Sequence, residues 1–302
     1  MAVGTKAANY TPDVMTYTGR IGKIAREVIE TEQTPSMFNG LLKPIGEYGK
    51  DIEVTLYKRA TGAATTRTGN VAFNPPVGDT LLFKDWVQNT YPVRIDRLQI
   101  RESSRDENVA EENAAAVVDT MYTGAEWDKN KNGMDAFSAL LSGFPNPDGS
   151  TNIVEREGRV PAITDAATAD EFLLAIKDTA KLIRKGSAKV NPYGNNVPAR
   201  RVIMLTPMTN VTRVDVYKRA ETEQLEYARF DVDEVIEYDP SAFEGSDYST
   251  FIFDERFAQF YERENEYEET KAKGNRGVDA CLYTNNLYGI CPLFSAVKIL
   301  QA

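Results

Sequence analysis

The amino-acid sequence predicts an α+β fold in which one long helix and a compact α/β module accompany extended β-structure. Apolar and polar residues alternate over residues 51–60, which is typical of a half-buried strand. Apolar residues recur at helical spacing between residues 110 and 125. The apolar run RVIMLT at 201–206, followed by Pro207, is typical of a buried strand that leads into a helix. With 302 residues, of which 42% are hydrophobic, the chain is long enough to bury a sizeable core.

The first fifty residues predict an extended arm rather than a compact unit. Residues 1–18 are small and polar, and residues 20–32 place Ile24 and Val28 on one apolar stripe of a helix. The dipeptide Thr34-Pro35 marks the end of this helix. Two interpretations stay open: the helix packs on the surface of its own chain, or it docks on a neighbouring subunit.

Residues 51–102 predict a long β-hairpin. Its outgoing strand, DIEVTLYKRA, is followed by a tip rich in Gly, Thr and Pro, and its returning strand carries Tyr91, Val93 and Ile95 on one face. Pro92 predicts an edge strand or a bulge, because proline has no N–H to donate to a sheet. A two-stranded ribbon of this length is only marginally stable alone in water. We therefore expect another subunit to cover it.

A long helix is predicted next. Its apolar stripe runs from Ala110 to Ala125. Acidic residues lie in its first turns, where the positive end of the helix dipole stabilises negative charge. The polar segment DKNKNG at 128–133 predicts a helix break, after which AFSALLSGF forms a short second helix. The same segment begins like an EF-hand calcium loop, but Ala139 stands where that loop needs a bidentate Glu. A helix break is therefore favoured over a calcium site.

Residues 162–277 predict the α/β module. The sequence TADE at 168–171 is typical of a capping box, and Gly186 is predicted to end the helix that the box begins. The run FIF at 251–253 predicts a further strand, and two apolar β-runs at 278–283 and 292–300 close the chain. The two cysteines, Cys281 and Cys291, match no zinc or redox spacing, so we predict buried cysteines in strands.

The charge pattern excludes several functions. The net charge is −10 and the chain contains no histidine, which excludes catalysis that depends on an imidazole. Residues 221–270 hold 17 Asp and Glu and three Arg, and no basic footprint for sequence-specific nucleic-acid binding is present. Such an acidic surface favours solubility and avoids adhesion to DNA. Because no apolar run is long enough for a membrane span and the first residues lack a signal peptide, we expect a chain that stays in the cytoplasm.

A cluster of carboxylates near residue 265 is the strongest candidate for a metal site. Evenly spaced Glu residues on a strand share a face that can bind a divalent cation or an Arg-rich partner. A solvated strand face is the favoured interpretation, and no phosphate-binding, dinucleotide-binding or nucleophile motif accompanies the cluster. We therefore predict no catalytic residue, no metal site and no cofactor. The cluster consists of Glu262, Glu264, Glu266, Glu268 and Glu269.

The order of arm, hairpin, long helix, α/β module and closing strand resembles a known family. It is similar to the Hong Kong 97-like fold of the major capsid proteins of tailed double-stranded-DNA bacteriophages. The C-terminal segment FAQFYERENEYEETKAKGNRGVDACLYTNNLYGICPLFSAVKIL resembles the family's charged strand, its "VDA…YG" segment and its final strand. The strand-Pro-helix step RVIMLTPMTNVTRV resembles the middle module of the family.

The resemblance implies four regions and a structural role. Expected are an N-terminal arm at 1–50, an extended β-hairpin (E-loop) at 51–97, a peripheral domain with a spine helix at 98–145 and 278–302, and an axial domain at 146–277. The implied function is self-assembly into the hexamers and pentamers of an icosahedral head that encloses packaged double-stranded DNA. The implied location is the virion capsid, with the host cytoplasm as the place of assembly.

The resemblance also implies partners. These are further copies of the chain, a portal protein, and scaffolding or decoration proteins where an assembly uses them; DNA is met only by non-specific proximity, and no membrane is involved. Contacts between subunits are expected from apolar, aromatic and Arg side chains of the arm and hairpin, which are enriched at interface cores. The expected contact residues are Ile24, Val28, Tyr57, Arg59, Phe83, Trp86, Tyr91 and Arg94.

Two alternatives stay open at this point. An encapsulin-like nanocompartment shell has the same fold and encloses protein cargo instead of a genome. A metal-dependent hydrolase built on the carboxylate cluster is disfavoured, because most such sites use at least one imidazole.

Overall fold

The computed structural model describes most of the chain in separate segments. These are residues 36–45, 51–57, 78–96, 107–139, 154–155, 160–191, 197–218, 230–242, 250–263, 265–271 and 277–301. The predicted arm helix and the predicted hairpin tip lie outside the described residues.

Within these segments the chain forms twelve β-strands and three α-helices. The helices are α1 (Glu107–Ala139), α2 (Ala166–Arg184) and α3 (Met208–Lys218). The strands are β1 (Leu42–Ile45), β2 (Ile52–Tyr57), β3 (Gly78–Phe83), β4 (Trp86–Asp96), β5 (Val154–Glu155), β6 (Val202–Pro207), β7 (Glu234–Tyr238), β8 (Thr250–Asp254), β9 (Ala258–Arg263), β10 (Glu266–Lys271), β11 (Gly277–Ile290) and β12 (Ala296–Ile299).

The first sheet is organised around the 14-residue strand β11. One side of β11 pairs antiparallel with β4, while the other side pairs first with β10 and then with β9. β1 adds to β9 in parallel. Among the described strands β4 pairs with β11 alone, which confirms the edge position that Pro92 predicts.

Helix α1 lies across the first sheet as one unbroken helix of 33 residues, about 50 Å long at the usual rise per residue. The predicted break at 128–133 is therefore wrong. The polar residues of that segment have partners within the fold: the Asn130 side-chain oxygen accepts hydrogen bonds from the Ser36 hydroxyl and the Met37 N–H, both at 2.9 Å. Gly133 gives room to the ring of Phe38, which lies against the helix at this point.

The hairpin consists of β2 and β3, which pair antiparallel from Ile52–Phe83 to Tyr57–Gly78. The hairpin was expected to extend over residues 51–102, with its second strand paired to β2, and this prediction is wrong for the second strand. The returning strand ends at Phe83, and after two residues the chain enters β4, whose partner is β11. The pairing with β11 joins segments nearly two hundred residues apart, so the local alternation of side chains cannot reveal it.

The second sheet has the order β5-β12-β8-β6-β7, and its strands β12, β8 and β6 are buried on both faces. β6, α3 and β7 form a βαβ unit with parallel strands, which confirms the strand predicted at 201–206 and the helix predicted after Pro207. Helix α2 begins one turn before the predicted box: Asp165 is its N-cap and forms a capping box with Thr168. Gly186, with a φ of 62°, follows its C-terminus, as predicted.

Two apolar cores lie on opposite faces of the second sheet. One core joins α2 and α3 to this sheet through residues such as Phe172, Ile176 and Met204. The other joins the sheet to α1 and to the first sheet through Phe137, whose ring contacts the rings of Phe253 and Phe260. No described helix is long and apolar enough to cross a membrane.

The C-terminal strands divide differently from the two runs expected. Residues 277–290 form one continuous strand, and after a turn β12 enters the second sheet beside β8. β9 and β10, expected in the axial domain, pair with β11 in the first sheet. The boundary expected at residue 277 therefore does not separate the two sheets. Strands on its N-terminal side pair with β11, and β12 on its C-terminal side pairs with β8.

Candidate assembly surface

The hairpin presents one face to its own chain and the other to solvent. The inner face carries Ile52, Val54 and Leu56, which are half-buried. The outer face carries Tyr57, 60% exposed, and Leu82, 48% exposed, beside a Thr55–Thr80 hydroxyl pair at 3.0 Å. Because large apolar side chains seldom stay so exposed on both strands of one ribbon, this outer face is a candidate surface for contact with another molecule.

A second exposed apolar group lies on the helices that cover the second sheet. Leu174 on α2 and Val216 on α3 are 60% and 67% exposed, and Met208 and Tyr217 on α3 are also exposed. α2 and α3 pack on the same face of the second sheet. These residues form a second candidate surface, which the sequence reasoning did not identify because it treated both helices only as part of the α/β module.

Phe83 and Trp86, two expected contact residues, lie between elements of their own chain. The ring of Phe83 packs against Gly289 of β11. The Arg263 guanidinium stacks over the Trp86 ring at 3.7 Å from its centroid, a favourable cation–π geometry. Both side chains anchor the start of β4 to the first sheet, and a contact between subunits stays a prediction for them.

Tyr91 and Arg94 also have partners within the chain. The Tyr91 hydroxyl donates to the Asp128 carboxylate of α1 at 2.9 Å, and burial together with this acceptor raises the pKa of Tyr91 well above its ordinary value. Arg94 holds Asp279 of β11 through two hydrogen bonds of 2.6 and 2.8 Å, which keep the pKa of the Asp279 carboxyl below its ordinary value. Arg94 is still largely exposed.

The remaining expected contact residues lie outside the described segments. They are Ile24 and Val28 of the arm and Arg59 of the hairpin. Of the expected set, Tyr57 and Arg94 are therefore the described residues with large exposed side chains.

A buried ion pair connects α1 with the first sheet. The Lys129 ammonium donates to the Glu262 carboxylate, and the two residues are 1% and 8% exposed. Burial lowers the pKa of Lys129, while the attraction of Glu262 opposes that shift. Sequence reasoning missed the pair, although Lys129 follows Ala125 by four residues on the apolar stripe and so occupies a core position.

Neither candidate cation site takes the form that the sequence suggested. Asp128 and its neighbours lie within the continuous helix α1 and cannot form an EF-hand loop. Glu262 of β9 forms its ion pair with Lys129 of α1, and Glu266 and Glu268 are exposed on β10. Glu264 lies outside the described residues. Within the described part of the chain, no group of three potential metal-ligating side chains occurs.

Two mixed sheets, a long helix across one of them and a two-stranded hairpin make up the Hong Kong 97-like fold, which solved structures of phage capsids share. A chain in the capsid structure of Staphylococcus phage Andhra has a TM-score of 0.66 and 12% identity, over 88% of this chain and 84% of that chain. A chain in the structure of head fiber and inner core protein gp22 of native bacteriophage P68 has a TM-score of 0.61 and 14% identity, with the same coverages. A chain in the capsid structure of Cyanophage P-SCSP1u has a TM-score of 0.57 and 12% identity, over 90% of both chains.

The family itself is identified from the sequence. Residues 19–300 match the family of Phi29-like phage major capsid proteins, and the chain belongs to this family. No curated protein matches the chain significantly. The protein is thus a structural subunit of an icosahedral phage head, and its place is the capsid of the virion.

Proposed function

We propose that the subunit assembles into hexamers and pentamers that close around packaged double-stranded DNA, and that the outer face of the hairpin binds a neighbouring subunit. The observation that carries this proposal is the exposure of Tyr57 and Leu82 on a ribbon that pairs with neither of the other two sheets among the described residues. A second copy that covered this face would remove apolar surface from water, which favours association.

The four regions take their proposed roles from this arrangement. Of the expected arm at 1–50 and hairpin at 51–97, the residues before 36 and the ribbon of β2 and β3 reach neighbouring subunits. Phe38, β1 and β4 instead belong to the core and the first sheet of their own chain. The first sheet with its spine helix α1 serves as the peripheral domain, and the second sheet with α2 and α3 serves as the axial domain around a capsomer centre. The proposed domains differ from the expected boundaries in three strands. We assign β9 and β10 to the peripheral domain and β12 to the axial domain, because each strand is hydrogen-bonded within the corresponding sheet.

The acidic region supports non-specific proximity to DNA rather than binding. Asp233, Glu237 and Asp239 are exposed around β7, and Glu266 and Glu268 are exposed on β10. These negatively charged carboxylates repel the phosphate backbone of DNA. In the proposed arrangement this acidic surface faces the inside of the shell, so that DNA enters without adhering to it. The proposed role is structural and requires no catalytic site, and the further proposed partners are a portal protein and scaffolding or decoration proteins met in the host cytoplasm.

The nanocompartment alternative has the same fold and differs in cargo. The match to a family of phage major capsid proteins over residues 19–300 favours the phage head. Copurification of packaged nucleic acid, rather than a protein cargo, separates the two.

Assembly is tested by negative-stain electron microscopy and sedimentation velocity of the purified protein at several salt concentrations. We expect closed shells, or pentamers and hexamers that convert to shells. A double variant, Tyr57→Ser with Leu82→Ser, is expected to lose them, whereas Trp127→Ser, which removes an exposed apolar side chain of α1 outside both candidate surfaces, serves as the matched control. Shells from the double variant that equal those of the wild type contradict the hairpin contact. A 33.7 kDa monomer under all conditions, also when scaffolding proteins of the same phage are coexpressed, contradicts self-assembly.

A further inference from the structure

The central strand β11 carries a row of buried polar side chains beneath helix α1. The row consists of Thr284, Asn286 and Tyr288, which share one face of the strand because side chains alternate between the two faces. Thr284 and Asn286 are each 1% exposed, and Tyr288 packs against the core that α1 shares with both sheets. Positions so deeply buried usually carry apolar side chains, so three successive polar residues are unusual here.

Strand register shows that this polar row faces α1. Tyr288 is the direct cross-strand partner of Phe260, and the centroids of the two rings are 5.1 Å apart. The ring of Phe260 also contacts the ring of Phe137 on α1. Asn286 and Thr284 precede Tyr288 by two and four residues, so their side chains point to the same side of the sheet.

Four polar atoms of the row lack a hydrogen-bond partner among the described residues. They are Oγ1 of Thr284, Oδ1 and Nδ2 of Asn286, and the hydroxyl oxygen of Tyr288. The Tyr91 hydroxyl lies near Thr284, but it donates to Asp128, and no hydrogen bond of normal geometry joins the two hydroxyls. Buried polar atoms without a partner are costly, and most such atoms in folded proteins are bonded to protein or to ordered water. The row therefore has the properties of a site for a small bound molecule.

The chemistry of the row selects a neutral ligand that both donates and accepts hydrogen bonds. The Asn286 amide offers N–H donors and an oxygen acceptor, and the hydroxyls of Thr284 and Tyr288 can do both. A cation would satisfy only the oxygen atoms, and an anion only the donors. Lys129 and Glu262, the cross-strand partner of Asn286, already form an ion pair with each other, so no net charge compensates the desolvation of an ion. Water carries two donors and two acceptors without charge and meets both requirements.

We infer that ordered water molecules lie between α1 and β11, one bridging Thr284 and Asn286 and another bridging Asn286 and Tyr288. Residues that follow one another on one face of an antiparallel strand are about 6.8 Å apart. A water molecule with a hydrogen bond of about 3 Å on each side spans one such step, so a single molecule does not serve the whole row. Buried water of this kind is costly to remove and acts as a fixed part of the contact between helix and sheet.

A structure of the full-length protein, as free subunit or as shell, at a resolution that shows ordered water tests the inference directly. We expect water within about 2.7–3.2 Å of the Asn286 amide and of the Tyr288 hydroxyl. Direct hydrogen bonds among Thr284, Asn286 and Tyr288, with no water between them, overturn the inference. An ion or another ligand bound to the row also overturns it. The result does not depend on whether the protein forms shells.

Isosteric variants test the same water by thermal denaturation. Tyr288→Phe and Asn286→Leu each remove polar partners of the bound water, and each is expected to lower the midpoint. Tyr283→Phe is the matched control, because its hydroxyl is exposed on the opposite face of β11, and a smaller shift is expected. A higher midpoint for Asn286→Leu shows that the amide has no partner to lose, and this result overturns the inference.

The double variant asks whether the two side chains share one water molecule. Asn286→Leu combined with Tyr288→Phe is expected to lower the midpoint by less than the sum of the two single shifts, because either substitution alone already disrupts the bridge. Strictly additive shifts overturn the bridge between Asn286 and Tyr288. If a variant fails to fold, the structure of the wild-type protein decides.

Discussion

The ring of Phe83 occupies the space beside Gly289 that any other residue would fill with its side chain. A Cβ atom placed on Gly289 would lie 2.5 Å from Cδ1 of Phe83, well inside van der Waals contact. Phe83 ends the hairpin and Gly289 lies near the end of the central strand β11, so this contact fixes the hairpin base to the first sheet. A glycine inside a strand often marks such a close approach.

Gly289→Ala is expected to destabilise the protein by about 1–3 kcal/mol, because the added methyl group displaces the half-buried Phe83 ring. Urea denaturation followed by tryptophan fluorescence measures the change. Gly78→Ala is the control: it is also a strand glycine of the hairpin, but its nearest neighbour is the exposed and movable ring of Tyr57. Equal stabilities of Gly289→Ala and the wild type contradict the proposed fit.

Gly133→Ala is expected to destabilise the protein although alanine is the better helix former. The gain in helix propensity is about 1 kcal/mol, whereas overpacking of a core costs about 1–3 kcal/mol. Overpacking prevails because the fully buried Phe38 ring, which the new methyl group would meet, is held by Phe137 and Phe260. Lys131→Ala, at an exposed position on the same helix, is the control. A higher denaturation midpoint for Gly133→Ala would show that the Phe38 ring can move aside.

The same glycine explains what the sequence could and could not predict. Local patterns correctly predict the strand at 201–206, the strand at 251–253, the helix after Pro207 and the helix end at Gly186. The segment 128–133 resembles a helix break because Asn and Gly disfavour helices, but here tertiary contacts of Asn130 and Gly133 outweigh that propensity. Helix propensity sums local effects, and both contacts come from residues almost a hundred positions away.

The assembly surface shows the same limit. Alternation along β2 correctly predicts a half-buried strand, and Tyr57 is exposed on it as an interface residue needs to be. Tyr91 also lies in an alternating strand pattern, like Tyr57. Its hydroxyl nevertheless donates to Asp128 of the same chain, because β4 pairs with β11 rather than with β2. Pairing between strands so distant in sequence depends on the whole fold, and a single sequence does not show it.

The free energy of unfolding is expected to fall between pH 9 and pH 11. Burial raises the pKa of the Cys291 thiol from 9.0 to about 11. Below pH 9 the thiol is protonated in both states, so its contribution is complete. Above pH 9 the unfolded chain releases this proton while the folded chain retains it, which costs about 1.4 kcal/mol per pH unit and about 2–3 kcal/mol by pH 11.

Urea denaturation at half-unit steps from pH 8 to pH 11 measures this dependence. Cys291→Ala is expected to flatten the curve between pH 9 and pH 10, whereas Cys281→Ala, which removes the half-exposed thiol, is the control. Above pH 10 Tyr91 and Tyr288 steepen the decline, because burial raises the pKa of both phenols. An unchanged slope in Cys291→Ala contradicts the assignment.

Arg256→Ala is expected to lower stability by about 2–3 kcal/mol. Its guanidinium holds the buried Asp254 carboxylate at 2.7 and 3.1 Å, donates to the Pro198 carbonyl at 3.0 Å, and lies 4.6 Å from the centroid of the Phe294 ring. Loss of one partner of a buried pair costs about 3–5 kcal/mol, and the expected value is smaller because Arg256 is about a third exposed. Arg256→Lys keeps the charge but loses the planar fork, so a partial rescue is expected.

Arg94→Ala, which breaks the exposed pair with Asp279, is the control and is expected to change the urea midpoint little. If Arg94→Ala and Arg256→Ala shift the midpoint equally, burial of Asp254 is not the cause.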